Sequence, residues 1–117
     1  MITYQHAKQL DALGDPTRRA ILERLLHGPQ PVGELARGFP VSRPAISQHL
    51  RILKQAHLVV DRPEGSRRLY ELNPAGVDAL RAYFDRFWDH ARTSFTRAAE
   101  TRRINDEGEA ERVAAGR

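Results

Sequence analysis

No cysteine occurs in the 117-residue chain, which excludes disulfides, thiolate metal sites and cysteine nucleophiles together. Long apolar runs are missing as well, and the longest falls far short of the roughly 20 residues a bilayer-spanning helix needs. The opening MITYQHAKQL lacks the apolar core of a secretory signal, so a cytoplasmic protein with no membrane partner is expected. Catalytic signatures are equally scarce: there is no glycine-rich phosphate loop, no GxSxG, no HExxH and no paired His/Cys arrangement. Ser47, Gln48 and His49 are successive positions of a helical pattern, so they point in different directions and make no dyad. The expectation is a protein that is not an enzyme and carries no cofactor.

What is present is charge, mostly as arginine. Lys8 and Lys54 are the two lysines among 19 basic residues, against 15 acidic ones, for a net charge of +4. A GC-rich codon bias would give this arginine excess, and so would enrichment for an anionic partner. The distribution is more telling. Residues 1–57 hold eight basic and four acidic side chains and so supply the whole net charge. Residues 58–73 balance at three each, 74–102 give five against four, and 103–117 give three against four. The last stretch, RINDEGEAERVAAGR, has few large apolar residues and is expected to be a frayed or disordered tail. One domain over residues 1–102 is the reading, with a core small enough that oligomerisation would be a natural supplement.

Hydrophobic spacing predicts a helix over residues 4–13, with Tyr4, Ala7, Leu10 and Leu13 on one face and Gly14 ending it. Asp15 then caps a second helix with Pro16 at its first position, and Ala20, Ile21, Leu22, Leu25 and Leu26 are expected to face inward. That helix stops at His27-Gly28-Pro29. Pro31 opens a short third helix over residues 32–37, and Gly38-Phe39-Pro40 makes a turn. Ser42 caps a fourth helix reaching about Ala56, with Ile46, Leu50 and Leu53 on its apolar face. The period then changes to extended: residues 58–62 and 68–72 read as two strands joined by Pro63-Glu64-Gly65-Ser66, a hairpin. Asn73-Pro74 starts a long last helix to about Arg102, whose stripe of Val77, Leu80, Phe84, Phe87, Trp88, Ala91 and Phe95 resembles a coiled-coil seam.

This order, mainly α with a small β-hairpin, is that of a winged helix-turn-helix. With Ile46, Leu50 and Leu53 on the core, the fourth helix projects Arg43, Pro44, Ser47, Gln48 and Arg51, which can read base edges and grip phosphates. A plain solvated face would carry similar residues, but the preceding turn and following hairpin favour the nucleic-acid reading. Around Gly65, Arg62, Arg67 and Arg68 could enter a minor groove, where negative potential is enhanced. The same charges would also guard exposed edge strands, and Asp61 and Glu64 oppose DNA locally.

Four segments carry a resemblance: DPTRRAIL at 15–22, VGELA at 32–36, VSRPAISQHLRIL at 41–53 and GSRRLY at 65–70. Together they resemble the ArsR/SmtB family of bacterial winged-helix transcriptional regulators over roughly residues 5–95. The resemblance implies a homodimer held by the first and last helices, a recognition helix at 42–56 beginning with Ser42, and a wing at 61–69. It implies a repressor of its own operon that binds an inverted-repeat operator in double-stranded DNA. The dimer residues would be Tyr4, Leu10, Leu80, Phe84, Phe87, Trp88 and Phe95.

The resemblance also invites a metal test. Metal-responsive members often place cysteines in the third helix, where this chain has PVGELAR and no thiolate. Others use Asp and His on the last helix, but Asp89 and His90 are adjacent and diverge by about a hundred degrees. No metal site is therefore expected. An apolar or aromatic effector in the seam around Tyr83, Phe84, Phe87 and Trp88, with Tyr4 and Leu10, is the expected switch. Two alternatives stay open: a metal-responsive repressor using Asp and His of the last helix, and a protein-interaction module that has lost DNA binding.

Overall fold

The structure, a computed structural model, describes residues 4–115. Residues 1–3 and 116–117, which open the expected domain and close the expected tail, lie outside the described residues. The elements run α1 (Tyr4–Leu13), α2 (Pro16–Leu25), β1 (Gln30–Pro31), α3 (Val32–Arg37), α4 (Arg43–Gln55), β2 (Val59–Glu64), β3 (Arg67–Leu72) and α5 (Pro74–Ala115). The chain divides into two units, Met1–Arg81 and Ala82–Arg117.

In the first unit, polar caps set the helix starts. Asp15 is extended and its carboxylate accepts from the Arg18 amide at 3.0 Å, with Pro16 following. Two guanidinium groups then close the end of α1: Arg18 Nε donates to the Ala12 carbonyl and Arg19 Nη1 to that of Leu13, both at 2.7 Å. These carbonyls have no partner within their own helix, so the arginines stabilise the α1–α2 corner. Ser42 caps α4 by accepting from the Ala45 amide at 3.2 Å. Ile21, Leu35, Ile46, Leu50, Leu53, Leu58 and Val59 form the buried centre, each at 1% exposure or less.

Two expected faces are corrected. In α1 the buried residues are His6, Gln9 and Ala12, while Tyr4 is 78% exposed and Leu10 half-buried. The rotation is fixed by Gln9, whose side chain is fully buried and donates through Nε2 to the Gly76 carbonyl at 3.0 Å. Apolar spacing alone could not reveal that bond. Leu26, expected inward, is 71% exposed, because α2 ends at Leu25 and its buried line passes through Ile21 and Leu25.

The sheet has three strands, ordered β1-β3-β2, rather than the expected two. β1 is two residues long, with Gln30 opposite Tyr70 and Pro31 opposite Leu69. Pro31 is extended because it precedes α3, and that conformation lets it lie beside β3. The hairpin turn is also tighter than expected: Pro63 and Glu64 are strand residues opposite Arg68 and Arg67. Gly65-Ser66 alone turns the chain, with Gly65 at φ +61°, as a two-residue hairpin with glycine first requires.

α5 begins under tight constraint. Asn73 Oδ1 accepts from the Ala75 amide at 3.2 Å, and its Nδ2 donates to the His57 carbonyl at 3.0 Å. A Cβ on Gly76 would collide with that same carbonyl, and His57 itself sits at φ 61°. Leu80 packs against the core of this unit. In the second unit, α5 continues to Ala115 instead of ending near Arg102, so residues 103–115 are helical where a frayed tail was expected. That stretch holds no proline and is rich in Ala, Glu and Arg, all good helix formers. No helix among the described residues is long and apolar enough to cross a membrane.

Candidate nucleic-acid interface

The short turn after α3 delivers the chain to Ser42, and Ile46, Leu50 and Leu53 then hold one face of α4 in the core. The rest of the helix follows by geometry. Arg43, Pro44, Ser47, Gln48 and Arg51 are all exposed, as are Ser42 before them and Lys54 and Gln55 after them. No acidic residue occurs in α4, so this surface is polar and positive throughout. Ser42 spends its oxygen on the cap, which leaves its O–H to donate.

The wing arginines divide by role. Arg68 Nε donates to Asp61 Oδ2 at 2.7 Å, and Lys54 Nζ lies 2.7 Å from the other oxygen, Oδ1. The Asp61 side chain is 7% exposed, and Lys54 first and Arg68 second hold its carboxyl below the usual carboxylate range. This carboxylate therefore clasps the end of α4 to both strands of the wing. Arg62 pairs with Glu71 at 3.3 Å across the strands. Arg67, beside the turn, is 4.0 Å from Glu34 of α3 and about half-exposed. The wing cation least tied down is thus Arg67, whereas Arg62 and Arg68 share their charge with neighbouring carboxylates.

A groove between α3, the start of α4 and the wing is lined by Glu34, Arg37, Arg43, Arg67 and Arg68. Its arginines come from three elements, so sequence reading, which treats α4 and the wing separately, misses Arg37. Lys54 was missed for a related reason: its role depends on a chain reversal that brings residue 61 back beside it. On the α1–α2 side, Arg18 Nη1 approaches His49 Nδ1 of α4 at 3.4 Å, and Asp15 Oδ2 lies 3.9 Å from that nitrogen. Asp15 titrates below its ordinary value chiefly because its carboxylate accepts from the Arg18 amide, with the Arg18 guanidinium charge adding to that.

The residues expected at a dimer seam are placed as follows. Tyr4 is exposed with Lys8 Nζ 4.9 Å above its ring, and Leu10 is half-buried. In the second unit Phe84, Phe87, Trp88 and Phe95 are 45%, 60%, 63% and 75% exposed. Tyr83 meets Phe84 edge-on at 5.6 Å. Asp89 pairs with Arg92 at 3.5 Å. Among the described residues no three His, Cys, Asp or Glu side chains come close enough to hold a metal ion.

The family model for the arsR family of bacterial regulatory proteins matches residues 15–60, from the cap of α2 to the start of the wing. The HTH-type transcriptional regulator Rv2034 of Mycobacterium tuberculosis is 56% identical over 102 residues, covering 86% of this chain and 95% of that protein. The chain belongs to the arsR family. A second relative, the transcriptional repressor SdpR of Bacillus subtilis, is 47% identical over 62 residues, covering 53% of this chain and 69% of that one. The fold agrees too. The solution structure of a homodimeric winged helix-turn-helix DNA-binding domain from Mycobacterium bovis, a possible arsR-family regulator, superposes with a TM-score of 0.61. It is 30% identical and covers 73% of this chain and 79% of that one. This arsR-family chain is accordingly a winged helix-turn-helix DNA-binding transcriptional regulator and not an enzyme.

Proposed function

We propose that the chain is a repressor, its own operon among its targets, that binds an inverted-repeat operator as a cytoplasmic homodimer. The observation that carries this reading is the exposed, acid-free face of α4 beside the wing. Ser42, Arg43, Pro44, Ser47, Gln48 and Arg51 enter the major groove, where Gln48 and the arginines match base-edge donors and acceptors. Arg67 contacts phosphate or minor groove, with Arg62 and Arg68 contributing the weaker charge left by their carboxylate partners.

The dimer forms through α1, at Tyr4 and Leu10, and through the exposed aromatic face of α5, at Phe84, Phe87, Trp88 and Phe95. Large apolar side chains at such exposure need a partner, and a symmetric pair of identical faces supplies one. Leu80 has less to give, since it already packs on its own core. A two-fold dimer requires half-sites centred about 10 bp apart or a multiple of that. Repression is released by an apolar or aromatic metabolite in the α5 seam rather than by a metal ion, because a ligand shifts an equilibrium only by preferring one dimer shape.

Selection of duplexes from random-sequence DNA, followed by footprinting on the enriched sequence, tests this reading. Two protected blocks related by a dyad are expected. One unsymmetrical block, bound by a single subunit, overturns it.

A further inference from the structure

We infer that Arg18 and His49 act as a positioning pair that fixes α4 relative to the α1 corner and thereby sets preference for the operator sequence. The inference rests on the homodimeric operator reading above. Arg18 is held from three sides. Its Nε donates to the Ala12 carbonyl at 2.7 Å and its Nη2 to that of Asp11 at 3.3 Å, both at the end of α1. Its own amide donates to Asp15, which caps α2. The remaining arm, Nη1, reaches His49 Nδ1 at 3.4 Å on α4.

Arginine can only donate, so this contact is a hydrogen bond in the tautomer that leaves His49 Nδ1 as the acceptor and carries the ring proton on Nε2. His49 stands one residue after Gln48 on the helix that presents the reading face, and its side chain is 20% exposed. No base needs to reach it. Its effect passes through the helix axis: losing the bond frees α4 to shift against the α1 corner.

Protonation reverses the bond. A charged His49 has no acceptor at Nδ1, faces the Arg18 cation, and donates instead to Asp15 Oδ2, now 3.9 Å away. The charged groups facing His49 are Arg18 and Asp15 from α2; on α1, Lys8 and Asp11 line the cleft in which Arg18 lies. Added positive charge strengthens binding to any DNA, but protonating His49 lowers the preference for the right sequence.

The test uses the full chain and two probes, a duplex enriched by the wild-type protein from random-sequence DNA and an unselected duplex of equal length. His49→Leu, which cannot accept, is expected to lower affinity for the enriched duplex by roughly tenfold. Binding to the unselected duplex and the dimer mass should stay unchanged. His49→Gln restores an acceptor oxygen and is expected to recover the preference. Equal preference in wild type and His49→Leu, or a preference that His49→Gln fails to recover, overturns the inference while leaving the operator reading intact. Failure to enrich any duplex overturns the operator reading, and this inference with it.

Discussion

Residues 4–81 and residues 82–115 are built from the same kinds of side chain and use them oppositely. In the first region Ile21, Leu35, Ile46, Leu50 and Leu53 are at 1% exposure or less. In the second, Phe84, Phe87, Trp88 and Phe95 lie between 45% and 75%. The difference is one of partners. Four helices and a sheet converge on the first set, whereas the second belongs to a single helix that has no other element in its unit. An apolar stripe thus states a demand for burial, and only the number of elements around it says whether the chain meets that demand itself.

The sharpest way to break this contrast is a pair of substitutions, one in each region. Leu50→Ala is expected to cost about 3 kcal/mol of unfolding free energy, seen in a denaturant titration, because it empties a fully enclosed site. Phe87→Glu should leave that transition nearly unmoved and weaken dimerisation about a hundredfold in sedimentation, as removal of a central aromatic anchor does. Were Phe87→Glu to unfold the protein as readily as Leu50→Ala, or were the wild type a stable monomer, the contrast would collapse.

Within the first region, the reading face and the wing can be separated in the same manner. Gln48→Ala should lower affinity for the enriched sequence by roughly tenfold and spare unselected DNA. Arg67→Ala should weaken binding to all sequences alike and reduce the salt slope by about 1. A wing variant that bound every sequence as tightly as wild type would make the wing a guard and not a contact.

A smaller effect comes from Asp61. Its carboxyl is held low by Lys54 and Arg68, so the stabilisation is present above the normal carboxylate range and disappears as pH falls through the depressed value. Both cations are about half-exposed, and solvent screening keeps the clasp to about 1 kcal/mol. Asp61→Asn should lose that amount at neutral pH and flatten the acid limb of stability measured by thermal melts. The smallest effect expected is none: Zn²⁺, Ni²⁺ or Cd²⁺ should leave operator affinity unchanged in a titration. A stoichiometric loss reversed by chelator would point to Asp85, Asp89 and His90.

The helical skeleton was legible because its punctuation is local. Asp15-Pro16, Ser42 and Asn73-Pro74 mark helix starts through bonds to amides two or three residues away, and all three operate as expected. The face of α4 was legible for the same reason, since its apolar spacing admits one rotation. What escaped notice depends on distant residues. β1 exists because Gln30 and Pro31 meet β3 some forty residues later in the chain. The rotation of α1 follows from a buried glutamine that seeks the carbonyl of Gly76. Asp61 read as a charge opposed to DNA, and only its two cationic neighbours reveal it as a clasp. The end of α5 was misplaced because charge and small residues are compatible with either helix or coil.

The sheet order has a consequence for how copies of this chain can assemble. β3 lies in the middle, and each outer strand contains a proline, Pro31 in β1 and Pro63 in β2. Proline has no N–H to offer, so a strand from another molecule would find a donor missing at either margin. Growth by strand addition has no natural stopping point and leads to open-ended filaments. Pairing of two identical helical faces closes on itself after one event. By discouraging the first route, the two prolines direct association toward the finite route, so that rising concentration would yield pairs and not polymers.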